Sequence, residues 1–201
     1  MSALPLFWHD GAVGSGLTED QRAPVIRLLA KTYDVTPLDS LTLDGLRPFA
    51  TLILAQPRAL APVELVALDA WVRKGGRVLI FADPLLDWPS LQGPGTQSAA
   101  PPVSLLDPLL AHWGLRLDEA GPEAATPDLA GRTVAASSAG RWHRLAEDCV
   151  ITDGGLRADC VIGKGRAILV ADADVLDLRP GELQTQNNGT AILALLKMMG
   201  G

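Results

Sequence analysis

The chain has 201 residues, 48% of them hydrophobic and 20% charged, so it can bury a substantial core and is expected to form one α/β domain over residues 1–201. Its formal net charge is −6 and its basic residues are scattered, which leaves no footprint for a phosphate backbone and excludes nucleic acid as an expected partner. Two cysteines, Cys149 and Cys160, are too few for a disulfide framework and match no zinc spacing, while Met1–Trp8 carries neither a basic n-region nor a spanning apolar run. With no signal peptide or membrane-spanning segment encoded, the chain is expected in the cytoplasm, reaching a membrane only through a partner.

Leu4–His9 is predicted as a first strand, Glu19–Lys31 as a helix opened by a capping box at Thr18 and Gln21, and Tyr33–Pro37 as a short second strand. Pro24 falls inside that helix, where a proline produces a kink. Between strand and helix, Gly11–Gly16 is rich in glycine but lacks both the dinucleotide and the P-loop spacing, so it reads as a connector. Thr51–Ala55 is an unbroken apolar run of strand length closed by Gln56-Pro57, which implies a central strand buried on both faces. Pro62 suits a first helical turn, Leu65, Leu68 and Val72 keep helical spacing, and Gly75-Gly76 stops the helix. Arg77–Ala82 is a second apolar run, so strand, helix and strand form a parallel βαβ unit.

Trp88–Pro102 is rich in Pro, Gly, Ser and Gln and is predicted as a mobile loop over residues 88–102. A short helix begins at Asp107-Pro108 and ends at Gly114, followed by a strand at Leu115–Leu117. From Arg132 to Val170 the punctuation changes to hairpin spacing: Asp153-Gly154-Gly155 and Gly163-Lys164-Gly165 separate runs at Cys149–Thr152, Asp159–Ile162 and Arg166–Ala171. The terminal helix, Asn187–Met199, places Ile192, Leu195, Leu196 and Met199 on one face.

Several of these segments together resemble a family. They are Leu54-Ala55-Gln56-Pro57; Leu65–Leu68 with Asp69, Trp71 and Val72; Gly75–Leu79; Ala82-Asp83-Pro84; Leu110–Leu117; Gly163–Arg166 leading to Leu169–Asp172; and Asn187–Leu196. In them the chain resembles the soluble domain of uncharacterised ABC-type transport systems, including the gliding-motility type of ABC-transporter auxiliary component. The resemblance implies a three-layer, mostly parallel sheet flanked by helices, flavodoxin-like or class I glutamine amidotransferase-like, to which the hairpins are antiparallel additions in the C-terminal half. It also implies membrane ABC-transporter components, or another protein, as partners.

In an open parallel sheet, ligands bind beyond the carboxyl ends of the strands, where this chain places Asp10, Gln56, Asp83 and Asp172. With Asp174 and with Trp88, which opens the loop beside Asp83, these are the candidate ligand-binding residues, suited to a small polar ligand. Converging carboxylates can bind a metal or supply acid–base catalysis, but no metal-ligand set and no cofactor is assigned. Asp172-Ala173-Asp174 resembles the Asp-x-Asp loop of haloacid-dehalogenase-like phosphotransferases, yet Leu176 stands where that loop has Thr or Val.

Amidotransferase chemistry needs a nucleophile on a Gly-flanked elbow, and Asp83-Pro84 occupies that place. Neither Cys149 nor Cys160, each inside a predicted strand, can serve, and His9, His112 and His143 share no ligand spacing. Trp71, Trp113 and Trp142 read as packing residues. The expected function is therefore a non-catalytic binding or accessory domain of an ABC-type transport or envelope-related system. The alternative is a metal-assisted hydrolase or phosphotransferase using Asp83, Asp172 and Asp174.

Overall fold

The computed structural model describes residues 1–7, 22–88, 100–119, 127–179 and 183–200, with side chains from residue 187 onward in the last segment. Its main sheet has five strands: β1 (Thr51–Ala55), β2 (Arg77–Phe81), β7 (Cys149–Thr152), β8 (Arg157–Ile162) and β9 (Gly165–Val170), in the order β1-β2-β9-β8-β7. β1, β2 and β9 run parallel, whereas β9, β8 and β7 form an antiparallel meander. Val78–Phe81 of β2 and Ala167–Val170 of β9 are completely buried, as strands apolar on both faces must be.

Helix α3 (Pro62–Arg73) joins β1 to β2. Pro62 sits in its first turn, Leu68 and Val72 are fully buried, and Gly75 follows its end at φ +117°, a backbone conformation that favours glycine. The turn into β9 lies so close to the end of α3 that a Cβ on Gly165 would fall on the carbonyl oxygens of Val72 and Gly76. Helix α5 (Leu183–Gly200) packs on β2 and β9 through a stripe in which Ile192, Leu195 and Met199 are 1% exposed or less. Each such side chain stabilises the fold by roughly 1.5–3 kcal/mol relative to exposure.

The remaining elements are small. α1 (Pro24–Ala30), α2 (Leu43–Leu46) and α4 (Asp107–His112) are short helices; β3 (Leu115–Glu119) pairs antiparallel with β6 (Gly140–Arg144), and β4 (Asp128–Leu129) with β5 (Arg132–Thr133). Pro24 starts α1 instead of kinking a longer helix, since its missing N–H costs nothing in a first turn. Residues 19–21 of the expected helix, its capping box, Gly11–Gly16 and His9 lie outside the described residues.

The expected flavodoxin-like or class I glutamine amidotransferase-like, helix-flanked three-layer architecture is not what this chain adopts. Only three of the five main strands are parallel, two further sheets stand apart, and α1, α2 and α4 are too short to cover a sheet face. The two N-terminal strands of the expected parallel sheet do not form among the described residues. Residues 1–7 contribute a single parallel bridge, Ser2 to Ala55, and Tyr33–Pro37 forms no strand and has no ladder partner. The polar run Lys31–Asp34 is exposed, so nothing drives it into a sheet interior.

Cys149 and Cys160 face each other across β7 and β8 and form a disulfide, a pairing that their number alone did not suggest.

Candidate functional site

Register places the site. Ala55, Phe81 and Val170 are aligned partners at the ends of β1, β2 and β9, so Asp83 and Asp172 leave the sheet at one level and Gln56 one residue earlier on the neighbouring strand. Two residues after Asp172, the chain tightens into a 3-10 turn (Asp174–Leu176), which swings Asp174 back toward the same rim. One carboxylate oxygen from each of Asp83, Asp172 and Asp174 then lies within 4.8 Å of the other two.

Main-chain amides hold these carboxylates in place. Asp83 Oδ1 accepts from Leu85 N at 2.8 Å and its Oδ2 from Ala173 N at 3.0 Å. Asp172 Oδ1 accepts from Val175 N at 2.9 Å, and Asp174 Oδ2 from Asp87 N at 3.0 Å. Asp172 Oδ2 and Asp174 Oδ1 are buried without a donor at bonding geometry. Among the described residues, no Lys, Arg or His forms an ion pair with any of the three.

Burial therefore dominates their acidity. It lifts Asp83 above the usual carboxylate range against the opposing amides of Ala173, Leu85 and Asp174. Asp172 is raised well above that range by burial and then by repulsion from Asp83 and Asp174. Asp174 is raised to about 7, again mainly by burial, with the Asp87 amide opposing and Asp83, Asp87 and Asp177 repelling.

Gln56 belongs to the rim in a different role. It is fully buried at φ +40°, its Oε1 accepts from Asp83 N at 2.9 Å, and its Nε2 donates to Asp83 O at 3.2 Å and Pro101 O at 3.1 Å. Its polar atoms are thus committed to positioning Asp83 and the returning segment. Trp88 is half-buried against the core beside Asp87, and Asp10 lies outside the described residues.

The expected residues thus divide: Asp83, Asp172 and Asp174 converge, Gln56 supports them, and neither His112 nor His143 joins. His112 lies 3.5 Å from Asp69 and His143 3.2 Å from Asp118. Trp71, Trp113 and Trp142 are core residues, and the disulfide removes both cysteines as nucleophiles.

A surface concavity of about 420 Å³ lies elsewhere, between α2 and α3 around Glu64 and Arg58. There Glu64 Oε1 accepts from Leu41 N and Arg58, and its Oε2 from Ala61 N and Arg58, at 2.8–3.1 Å. That satisfied carboxylate, held at about 2 chiefly by its hydrogen bonds to Arg58, leaves no chemistry over for a ligand.

The model of the family described as ABC-type uncharacterized transport system matches residues 11–121, more than half of the chain. The chain belongs to this family. The matched span contains Asp83, while Asp172 and Asp174 lie beyond it. No helix among the described residues is long and apolar enough to cross a membrane.

No curated protein matches the chain. Among solved structures it resembles the mmIFT52 N-terminal domain, with 12% identity, TM-score 0.61 and coverage of 88% of this chain and 89% of that one. It also resembles the cytoplasmic protein STM1381 from Salmonella typhimurium LT2, with 11% identity, TM-score 0.55 and coverage of 87% and 85%. A GH42 β-galactosidase matches at 15% identity and TM-score 0.53, with 88% of this chain on 25% of that one, so the chain spans about a quarter of that enzyme. At such identities the likeness concerns fold alone, and it runs to these domains instead of to a helix-flanked flavodoxin-like layer structure.

One functional residue escaped sequence reasoning. Asn188 of α5 is 1% exposed; its Oδ1 accepts from Ala135 N, and its Nδ2 donates to Ala135 O and Val175 O. It anchors the turn that carries Asp174. Its signal was available: Asn188, Ile192, Leu195 and Met199 share one helical stripe, and a lone amide in an apolar stripe needs buried partners.

Proposed function

We propose that this domain is a non-catalytic accessory part of an ABC-type transport system, that it engages transporter components, and that it holds a small polar ligand at the rim of Asp83, Asp172 and Asp174. Family membership supports the transport setting. The observation that carries the ligand reading is the pair of buried, donorless oxygens, Asp172 Oδ2 just past the end of β9 and Asp174 Oδ1 in the turn that follows. Native structures leave such atoms unpaired at a cost of about 1–3 kcal/mol each, more for charged groups, and a ligand bearing positive charge or donors removes that cost.

Both cysteines are disulfide-bonded, so neither stands as a free thiol beside the carboxylates.

Two measurements test the proposal. Native mass spectrometry of the purified domain should show a non-covalent adduct that Asp172→Asn abolishes; a bare mass for wild type overturns the ligand pocket. Co-expression with the ATPase and permease of the same transport system should yield a complex that survives purification, and failure to co-purify with either overturns the partner assignment.

A further inference from the structure

The pocket's chemistry narrows its occupant. We infer that Asp83, Asp172 and Asp174 form a binding site for a hard divalent cation, calcium in preference to magnesium, which ties the end of β2 to the turn after β9. This rests on the proposed reading of the rim as a ligand pocket and goes beyond it by assigning the ligand.

Four observations carry the assignment. The donor set is all oxygen, which selects calcium- and magnesium-like ions over zinc or copper. The three oxygens all lie within 4.8 Å of one another, close enough for one ion to reach all three at the oxygen distances of about 2.0–2.6 Å that magnesium and calcium make. Magnesium demands near-ideal octahedral geometry and sheds its water reluctantly, whereas calcium accepts the irregular shell that three fixed carboxylates offer.

Asp172 is fully buried and Asp174 nine-tenths buried, and each presents one oxygen that no donor satisfies. The second oxygen of each is clamped by an amide, Val175 N or Asp87 N, so the free oxygens are fixed in advance of binding. Finally, no basic side chain among the described residues pairs with the cluster, so no cation of the chain competes with a bound ion for these oxygens.

The test uses chelator-treated protein at constant ionic strength, titrated with calcium and with magnesium chloride by calorimetry and by thermal unfolding. Wild type should bind one calcium ion, bind magnesium more weakly, and gain about 5 °C in Tm at roughly 100-fold excess over Kd. Asp172→Asn should lose the calcium response while staying folded without metal, with a metal-free Tm close to that of metal-free wild type. Asp174→Asn provides a second variant should the first fail to fold.

A calcium shift preserved in both variants, or absent from wild type, overturns the metal site, and equal responses to calcium and magnesium overturn the preference for calcium. Wild type that is indifferent to calcium yet carries an organic adduct by native mass spectrometry overturns the metal and keeps the ligand pocket. Indifference to calcium with a bare mass overturns both.

Discussion

Gln56 offers a test in which the usual order of two substitutions should invert. Gln56→Ala removes the acceptor for Asp83 N and the donor shared by Asp83 O and Pro101 O. Asp83 O retains Ser104 N at 2.7 Å, so the groups left unpaired are the buried Asp83 N–H and the partly buried Pro101 carbonyl. At about 1–3 kcal/mol for the first and less for the second, plus the packing lost from a buried side chain, the cost is about 3–4 kcal/mol.

Gln56→Gly loses the same hydrogen bonds but relieves a left-handed backbone, φ +40°, that costs an L-residue about 1–2 kcal/mol. Part of that gain is offset by the greater freedom of glycine in the unfolded chain. Glycine should therefore be more stable than alanine by about 0.5–1 kcal/mol, whereas within an ordinary helix or strand it is less stable. Urea denaturation with unchanged m-values would show the wild-type midpoint falling by about 1–2 M for alanine and by less for glycine. A Gln56→Ala variant within about 1 kcal/mol of wild type, or a glycine variant below the alanine one, would refute the reasoning.

Three further outcomes follow from the same structure. Glu64, with its folded pKa depressed to about 2 from an ordinary 4.5, contributes stability that is complete above the ordinary value and vanishes as pH falls from about 5 toward 2. With allowance for the half-exposed Arg58, Glu64→Gln should cost about 2 kcal/mol at pH 7 and almost nothing near pH 2; a pH-independent difference would contradict this. Gly165→Ala should cost more than about 3 kcal/mol, since its methyl meets main-chain oxygens that cannot yield, while Gly75→Ala, open around its Cβ, should cost only about 1–2 kcal/mol of backbone strain; calorimetric melting compares them. Reduction of the Cys149–Cys160 bridge, which spans a sequence separation of 11, should cost about 2–3 kcal/mol, and an unchanged Tm in reductant would count against the bond's role.

What the sequence disclosed follows from how local each signal is. Thr51–Ala55, the helix after Pro62, and Arg77–Phe81 are legible because continuous apolar runs punctuated by Pro and Gly–Gly leave one arrangement for so short a span. The same rule nominated Asp83 and Asp172 as strand-end residues. Their convergence was not legible, because it depends on β2 pairing with β9 across 84 intervening residues, between Phe81 and Arg166.

The three-layer expectation failed at its N-terminal half, where strand-like composition in Tyr33–Pro37 is not backed by a buried face. The bridge was hidden for the converse reason. Asp-Cys-Val-Ile occurs at residues 148–151 and again at 159–162, but the strands run antiparallel, so Val150 faces Asp159 and Ile151 faces Ala158, and only the pairing offset brings the two sulfurs together.

That bridge also bears on how the sheet ends. β7 is an outer strand of the five-stranded sheet, with Val150 58% exposed, and such an edge invites pairing with another chain or exchange of the hairpin between copies. A covalent link from Cys149 to its neighbour on β8 fixes the pairing offset and prevents β7 from peeling away to find a new partner. At the opposite edge, Ser2 lies against Ala55 of β1. One border of the sheet is thus welded strand to strand and the other is partly covered, so β7 cannot be exchanged by itself between two copies of the domain.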